Sequence, residues 1–168
     1  MPKHYKMKRI FIIYALILFN CAQVNAQTVN EIHVKEIQAR SESWNQSYNS
    51  RDSLTFYTLF DSLALLSSAG GRWIGAEECK KLCRFLYAIR PDISWTNKFS
   101  KIEINERIHV AYETGDWAED WTEKGDTSKS KLTGKYWIMW RYENDNWFII
   151  SAIFTPLTCS GSYCRDKK

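Results

Sequence analysis

Proline and glycine are scarce: three prolines and seven glycines in 168 residues. The chain therefore has no Pro/Gly-rich linker, repeat or low-complexity tract, and nothing in it marks a join between globular domains. No Gly-rich phosphate loop, nucleophile–base pair or metal triad is present, so no cofactor and no metal are expected. The longest apolar run, residues 10–19, is too short to span a bilayer, which takes about 20 residues. Excess charge is also missing. Residues 1–26 hold four of the 23 Lys and Arg and none of the 19 Asp and Glu, so the remainder is neutral. No basic patch is left to attract a nucleic acid.

What is present begins with MPKHYKMKR, the apolar run, and Val24-Asn25-Ala26 in an A-x-A-like pattern. This reads as a secretory signal peptide cleaved after Ala26, and it predicts an exported protein, periplasmic or secreted. An alternative keeps Cys21 as the lipidated first residue of a lipoprotein. The division expected is 1–26 signal peptide, 27–157 one domain, and 158–168 a Cys-containing tail. Export permits disulfides among Cys79, Cys83, Cys159 and Cys164. The Ser-Gly-Ser spacer makes Cys159–Cys164 the expected pair. Cys79 and Cys83 fall on an apolar helical stripe and read as buried thiols rather than ligands of zinc.

The chain is organised around residues 132–156, LTGKYWIMWRYENDNWFIISAIFTP, which predict a long β-hairpin turning at residues 143–146. Alternation places Tyr136, Ile138, Trp140 and Tyr142 on one face and Lys135, Trp137, Met139 and Arg141 on the other. In the second arm Phe148, Ile150, Ala152 and Phe154 alternate with Trp147, Ile149, Ser151 and Ile153. Both faces carry bulky apolar groups, so both need cover.

Upstream, Thr28 is a plausible cap for a helix to about Tyr48, with Val34, Ile37, Ser41, Trp44 and Tyr48 as one stripe. Ser50 is expected to cap a short second helix. A strand over 61–68 and a Gly70-Gly71 turn follow. Trp73 and Gly75 lead into a third helix whose stripe is Cys79, Leu82, Cys83, Leu86 and Ile89, stopped by Pro91. From Ile93 onward the pattern is antiparallel strand, with a turn at Gly115-Asp116. Asn45-Gln46-Ser47 is a glycosylation sequon in mid-helix, read as coincidence.

The first helix ending in WNQSYNSRD, the Gly-Arg-Trp-Ile-Gly entry to the third, TGDWAEDW and GKYWIMWRYENDNWFII together resemble the nuclear transport factor 2-like superfamily. Within it they are similar to the branch named domain of unknown function 4440, beside the SnoaL-like cyclases. The resemblance covers residues 30–156. It implies an α+β fold: a cone-shaped, curved antiparallel sheet wrapped around three N-terminal helices, with a pocket inside. It does not choose a function. Set against ketosteroid isomerase, a relative, the catalytic tyrosine falls at Trp44. The general-base aspartate falls near Ser68, and the oxyanion-hole aspartate at Ile138. None of these residues can do that chemistry.

The expected pocket lining is Trp44, Tyr48, Trp121, Tyr136, Ile138, Trp140 and Phe154. Candidate acid–base groups are Glu119, on the strand face shared with Trp117, Trp121 and Glu123, and the strand histidine His109. Trp137 and Met139, an apolar centre between Lys135 and Arg141, predict a homodimer through the sheet face. The leading functional expectation is binding of a small apolar molecule without conventional catalysis. The alternatives are a SnoaL-like or ketosteroid-isomerase-like acid–base enzyme, and a structural homo-oligomerisation module.

Overall fold

The computed structural model describes residues 30–164. The chain divides into two compact units, Met1–Lys35 and Glu36–Lys168. The first is described only from residue 30, where it is helical; the second holds everything discussed below. The signal peptide, Cys21 and the Thr28 cap lie outside the described residues. Among those that are described, no helix is long and apolar enough to cross a membrane.

In the second unit, helix α1 runs over residues 36–50 and buries Ile37, Ser41, Trp44, Ser47 and Tyr48, the spacing expected of one helical face. Helix α2 (Ser53–Tyr57) is capped by Asp52 rather than Ser50. Arg51 takes a left-handed φ of 63°, and this brings the Asp52 carboxylate within 3.1 Å of the Thr55 amide. Strand β1 (Phe60–Ser68) then turns tightly into β2 (Gly71–Ile74). Residues expected as a lead-in to the third helix are thus a strand of their own, because Trp73 and Arg72 pair with Leu66 and Ser67. Helix α3 (Ala76–Ile89) stops just short of Pro91; its Cys79 and Cys83 are buried, whereas Ile89 is exposed.

The sheet continues as β3 (Ser94–Asn105), β4 (Val110–Thr122), β5 (Lys129–Glu143) and β6 (Asn146–Ser160), in spatial order β2-β1-β6-β5-β4-β3. All neighbouring pairs are antiparallel except β1 with β6, which is parallel. The β3–β4 turn lies at residues 106–109, not at Gly115-Asp116. Gly115 sits inside β4 because neighbours crowd it. A Cβ there would run into the Lys98 carbonyl and come within 2.7 Å of the Tyr136 ring.

The β5–β6 hairpin turns through Asn144 and Asp145, both with positive φ, as a two-residue turn between twisted strands requires. Its first arm keeps the expected faces: Tyr136, Ile138 and Trp140 are buried, Lys135 and Trp137 exposed. The second arm does not. A bulge leaves Ile150 unpaired between Ile149 and Ser151, so the alternation changes phase. Trp147 and Ile149 therefore share the inner face with Ala152 and Phe154, all four buried. Strand β6 continues through Ser160, so residues 158–160 are strand rather than tail.

At the open edge of β3, two asparagines of α1 act as a substitute strand. Asn49 accepts from the Trp95 amide at 2.8 Å and donates to the Trp95 carbonyl at 2.7 Å. Asn45 does the same for Asn97, at 2.7 and 3.1 Å. This engagement gives Asn45 a structural role that its sequon does not.

Candidate functional site

A cavity of about 330 Å³ opens between α1, α3 and the inner face of the sheet. Its aromatic wall is Trp44 and Tyr48 from α1, Trp95 from β3, Trp117 from β4 and Phe154 from β6. Helix α3 adds Leu82, Cys83 and Leu86, and the exposed Phe85 and Ile89 mark the mouth together with residues 68–70 and Tyr163. The rings hold one another: Trp95 and Trp117 stack at 5.0 Å with planes 12° apart, and Phe154 meets both edge-on. Such pairs stabilise a wall beyond simple area burial and fix its shape.

Glu119 is the one carboxylate in this lining, 8% exposed. It stands between Trp117 and Trp121 along β4, with Trp95 opposite on β3 and Leu132 opposite on β5. Burial pushes its pKa up to about 7, against a smaller downward pull from Arg90 and Tyr48. The Tyr48 hydroxyl lies beside it without closing a well-formed hydrogen bond, and no other described group satisfies that hydroxyl. At the rim Arg90 donates to Glu123 at 3.2 Å while its guanidinium covers the Trp121 ring at 3.9 Å. The Cys83 thiol, pushed up to about 12 by burial, is no nucleophile at neutral pH.

Of the residues expected to line a pocket, Trp44, Tyr48 and Phe154 do so. Trp121, Tyr136, Ile138 and Trp140 do not; they form the packed layer beside it. Tyr136 and Trp140 are held there by Glu113, a fully buried carboxylate that the sequence reading passed over. Glu113 accepts from Ser41 Oγ at 2.7 Å, Tyr136 Oη at 2.6 Å and Trp140 Nε1 at 2.9 Å. The signal for it was parity with Glu119, hidden by placing a turn at Gly115. His109 is exposed, in a left-handed conformation at the β3–β4 turn, and takes no part in the cavity. Cys159 and Cys164 are joined as a disulfide, while Cys79 and Cys83 are free thiols. Among the described residues no group of His, Cys, Asp and Glu is arranged to hold a metal ion.

No protein-family model matches the sequence, and neither does any curated protein. Solved structures do match. A putative scytalone dehydratase from Novosphingobium aromaticivorans superposes with a TM-score of 0.72 at 12% identity, over 81% of this chain and 91% of that one. A nuclear transport factor 2-like protein of unknown function from Shewanella oneidensis gives 0.56 at 16% identity, over 73% and 98%. The fold is nuclear transport factor 2-like. Another neighbour, a hexachlorocyclohexane dehydrochlorinase from Novosphingobium barchaimii, gives 0.66 at 14% identity, over 77% and 92%. At such identities the likeness establishes the fold and leaves the chemistry to the residues. In this chain the positions set against the isomerase are two cavity-lining residues, Trp44 and Ser68, and the fully buried Ile138.

Proposed function

We propose that this is an exported binding domain that holds a small, flat, largely apolar molecule in the cavity between α1, α3 and the sheet. The observation that carries the reading is the cavity itself: about 330 Å³, walled by Trp44, Trp95, Trp117 and Phe154, with a single buried carboxylate. That volume lies at the small end of ligand pockets, about 300–1,000 Å³, and suits one or two fused rings. Burial of such a ligand contributes about 25 cal/mol per Å² of apolar area and asks only for shape and dryness. Binding of naphthalene-sized probes should shift tryptophan emission, and Leu86→Trp, which fills the cavity from α3, should abolish the shift. An undiminished shift in that variant would place binding elsewhere.

Isomerisation through an enolate is not supported, because Trp44, Ser68 and Ile138 supply neither the carboxylate base nor the tyrosine and protonated aspartate of that oxyanion hole. One observation favours a second reading, an acid–base enzyme. Glu119, raised to about 7, faces the cavity in a form able to take or give a proton near neutral pH. Two structural neighbours are named for eliminations, a dehydratase and a dehydrochlorinase. Elimination from a bound substrate that Glu119→Gln reduces by 10²-fold or more would establish that reading.

The outer sheet face fits a second copy of the chain. There Trp137 stacks on Tyr112 at 5.6 Å, beside Met139 and a shallow recess with Lys101, Glu103 and Thr114. Charge around an apolar centre is the usual layout of an interface. Light scattering should give a dimer for residues 27–168 and a monomer for Trp137→Glu; a wild-type monomer at micromolar concentration retires the interface. Export rests on residues 1–26 and accords with the Cys159–Cys164 bond. An exported product whose first residue is Gln27 would establish it, and one starting at a lipidated Cys21 would replace it.

A further inference from the structure

Two glutamates point from the same face of β4, and the protein treats them oppositely. Glu113 is met by three donors from α1 and β5. Glu119, six residues on and nearly as buried, has only the Tyr48 hydroxyl beside it, and that contact closes no well-formed hydrogen bond. The three tryptophans nearest it on the sheet commit their indole N–H groups elsewhere, whereas Trp44 Nε1 and Tyr48 Oη, which line the same cavity, are satisfied by no described group. Trp95 donates to Asn97 Oδ1 at 2.8 Å, Trp117 to the Lys135 carbonyl at 3.1 Å, and Trp121 to Glu123 Oε1 at 2.6 Å. Arg90, the cation that acts on it, turns one guanidinium nitrogen to Glu123 and its plane to the Trp121 ring, and leaves Nε without a partner. A largely buried carboxylate so poorly supplied with donors is costly, and the cavity it lines is the side from which a donor can arrive.

We propose that the ligand of this cavity carries a hydrogen-bond donor, a hydroxyl or an ammonium group, on a flat apolar body, and that Glu119 receives it. This rests on the binding reading above. The flat body lies against the wall formed by Trp95 and Trp117, which stack on each other and commit their N–H groups to other partners. Once Glu119 is ionised, a ligand offering only acceptors can pair with Tyr48 or Trp44 but sets its lone pairs against the carboxylate and leaves Glu119 unpaired. Discrimination follows from that mismatch: a site built to pair a polar group rejects the analogue that lacks it far more strongly than it rejects a change in size.

Calorimetric titration with four probes on one skeleton tests this: 2-naphthol, 2-naphthylmethylamine, 2-methoxynaphthalene and 2-naphthoate. The wild type should bind 2-naphthol or the amine at least ten-fold more tightly than the methyl ether or the carboxylate. Glu119→Leu should remove that preference while leaving the ether's affinity within two- to three-fold. Glu119→Gln, which keeps size and an acceptor, guards against a Leu variant that misfolds; it should retain part of the preference and lose its pH dependence. A preference for the amine that grows from pH 6 to 8 identifies an ammonium ligand, and a preference for the naphthol identifies a neutral hydroxyl. If the ether or the carboxylate binds as well as the donors, or if the preference survives Glu119→Leu, the proposal falls while the cavity reading stands. If none of the four binds, both fall.

Discussion

The Tyr136 hydroxyl donates a 2.6 Å hydrogen bond to Glu113, a carboxylate with no exposed surface on the adjacent strand. Ser41 donates to the same oxygen from α1, so the contact also fastens the helix to the sheet. Tyr136→Phe removes one donor of three and should cost about 1.5–3 kcal/mol. Glu113→Ala strands all three donors and leaves a cavity, and should cost about 3–5 kcal/mol. Urea unfolding measures both; equal losses would show that the Ser41 and Trp140 bonds to Glu113 contribute nothing.

The second prediction concerns pH. Glu119 has a folded pKa of about 7, above its ordinary value of 4.5. The stability it contributes is fully present below about pH 4.5 and is lost as pH rises through 7. Glu119→Gln carries no such dependence. Its stability relative to wild type should therefore climb between pH 4.5 and 8 by about 2–3 kcal/mol. Other carboxylates cancel in the difference. A flat difference would mean that the carboxylate is solvated in the folded protein.

Asn49→Ala tests the substitute strand. The change exposes the Trp95 amide and removes a donor and an acceptor together, at a cost of about 1–2 kcal/mol. Hydrogen exchange should accelerate at the Trp95 amide and stay unchanged in the middle of β5. Uniform acceleration would indicate global destabilisation instead.

Gly115→Ala should be poorly tolerated although it sits in a strand, where alanine is normally harmless. The added carbon meets the Lys98 carbonyl and the Tyr136 ring. Overpacking of this kind costs about 1–3 kcal/mol. Thermal unfolding checks it, and a neutral outcome would mean that β3 can shift away.

Replacing both Cys159 and Cys164 by serine opens a loop of only a few residues, so the loss should be about 2 kcal/mol or less. The sharper readout is local. Tyr163, inside that loop, packs on Trp121 at 5.1 Å and lines the cavity mouth. Trp121 emission and probe affinity should change in the double variant, and identical ligand affinity would show that the mouth does not need Tyr163.

Periodicity made most of the fold legible. The α1 stripe, the α3 cysteines and the first arm of the hairpin lie where apolar spacing puts them. Two misreadings share one cause. A glycine in a strand and a one-residue bulge both interrupt alternation, and only tertiary contacts say whether an interruption is a turn, a close approach or a phase change. At Gly115 it is a close approach and at Ile150 a phase change. The site suffered for it. Trp95 and the α3 wall came from segments read for their own periodicity, which says nothing about what faces what across a cavity. Tyr136, Ile138 and Trp140 have the composition of a pocket, but they are packed solid against Glu113 and the rest of the core.

The asparagine pair on α1 also governs how the sheet can grow. At one margin, the hydrogen-bonding groups of Trp95 and Asn97 are already taken by side chains. At the other, β2 offers only four residues, Gly71–Ile74. Residues 98–105 of β3 are then the one length of margin that no described side chain covers in this way, and open ladders of that kind are what seed fibrils and edge-to-edge polymers. Asn45→Ala with Asn49→Ala would lengthen that open stretch to the whole of β3, and faster fibrillation of the double variant than of the parent would be its signature.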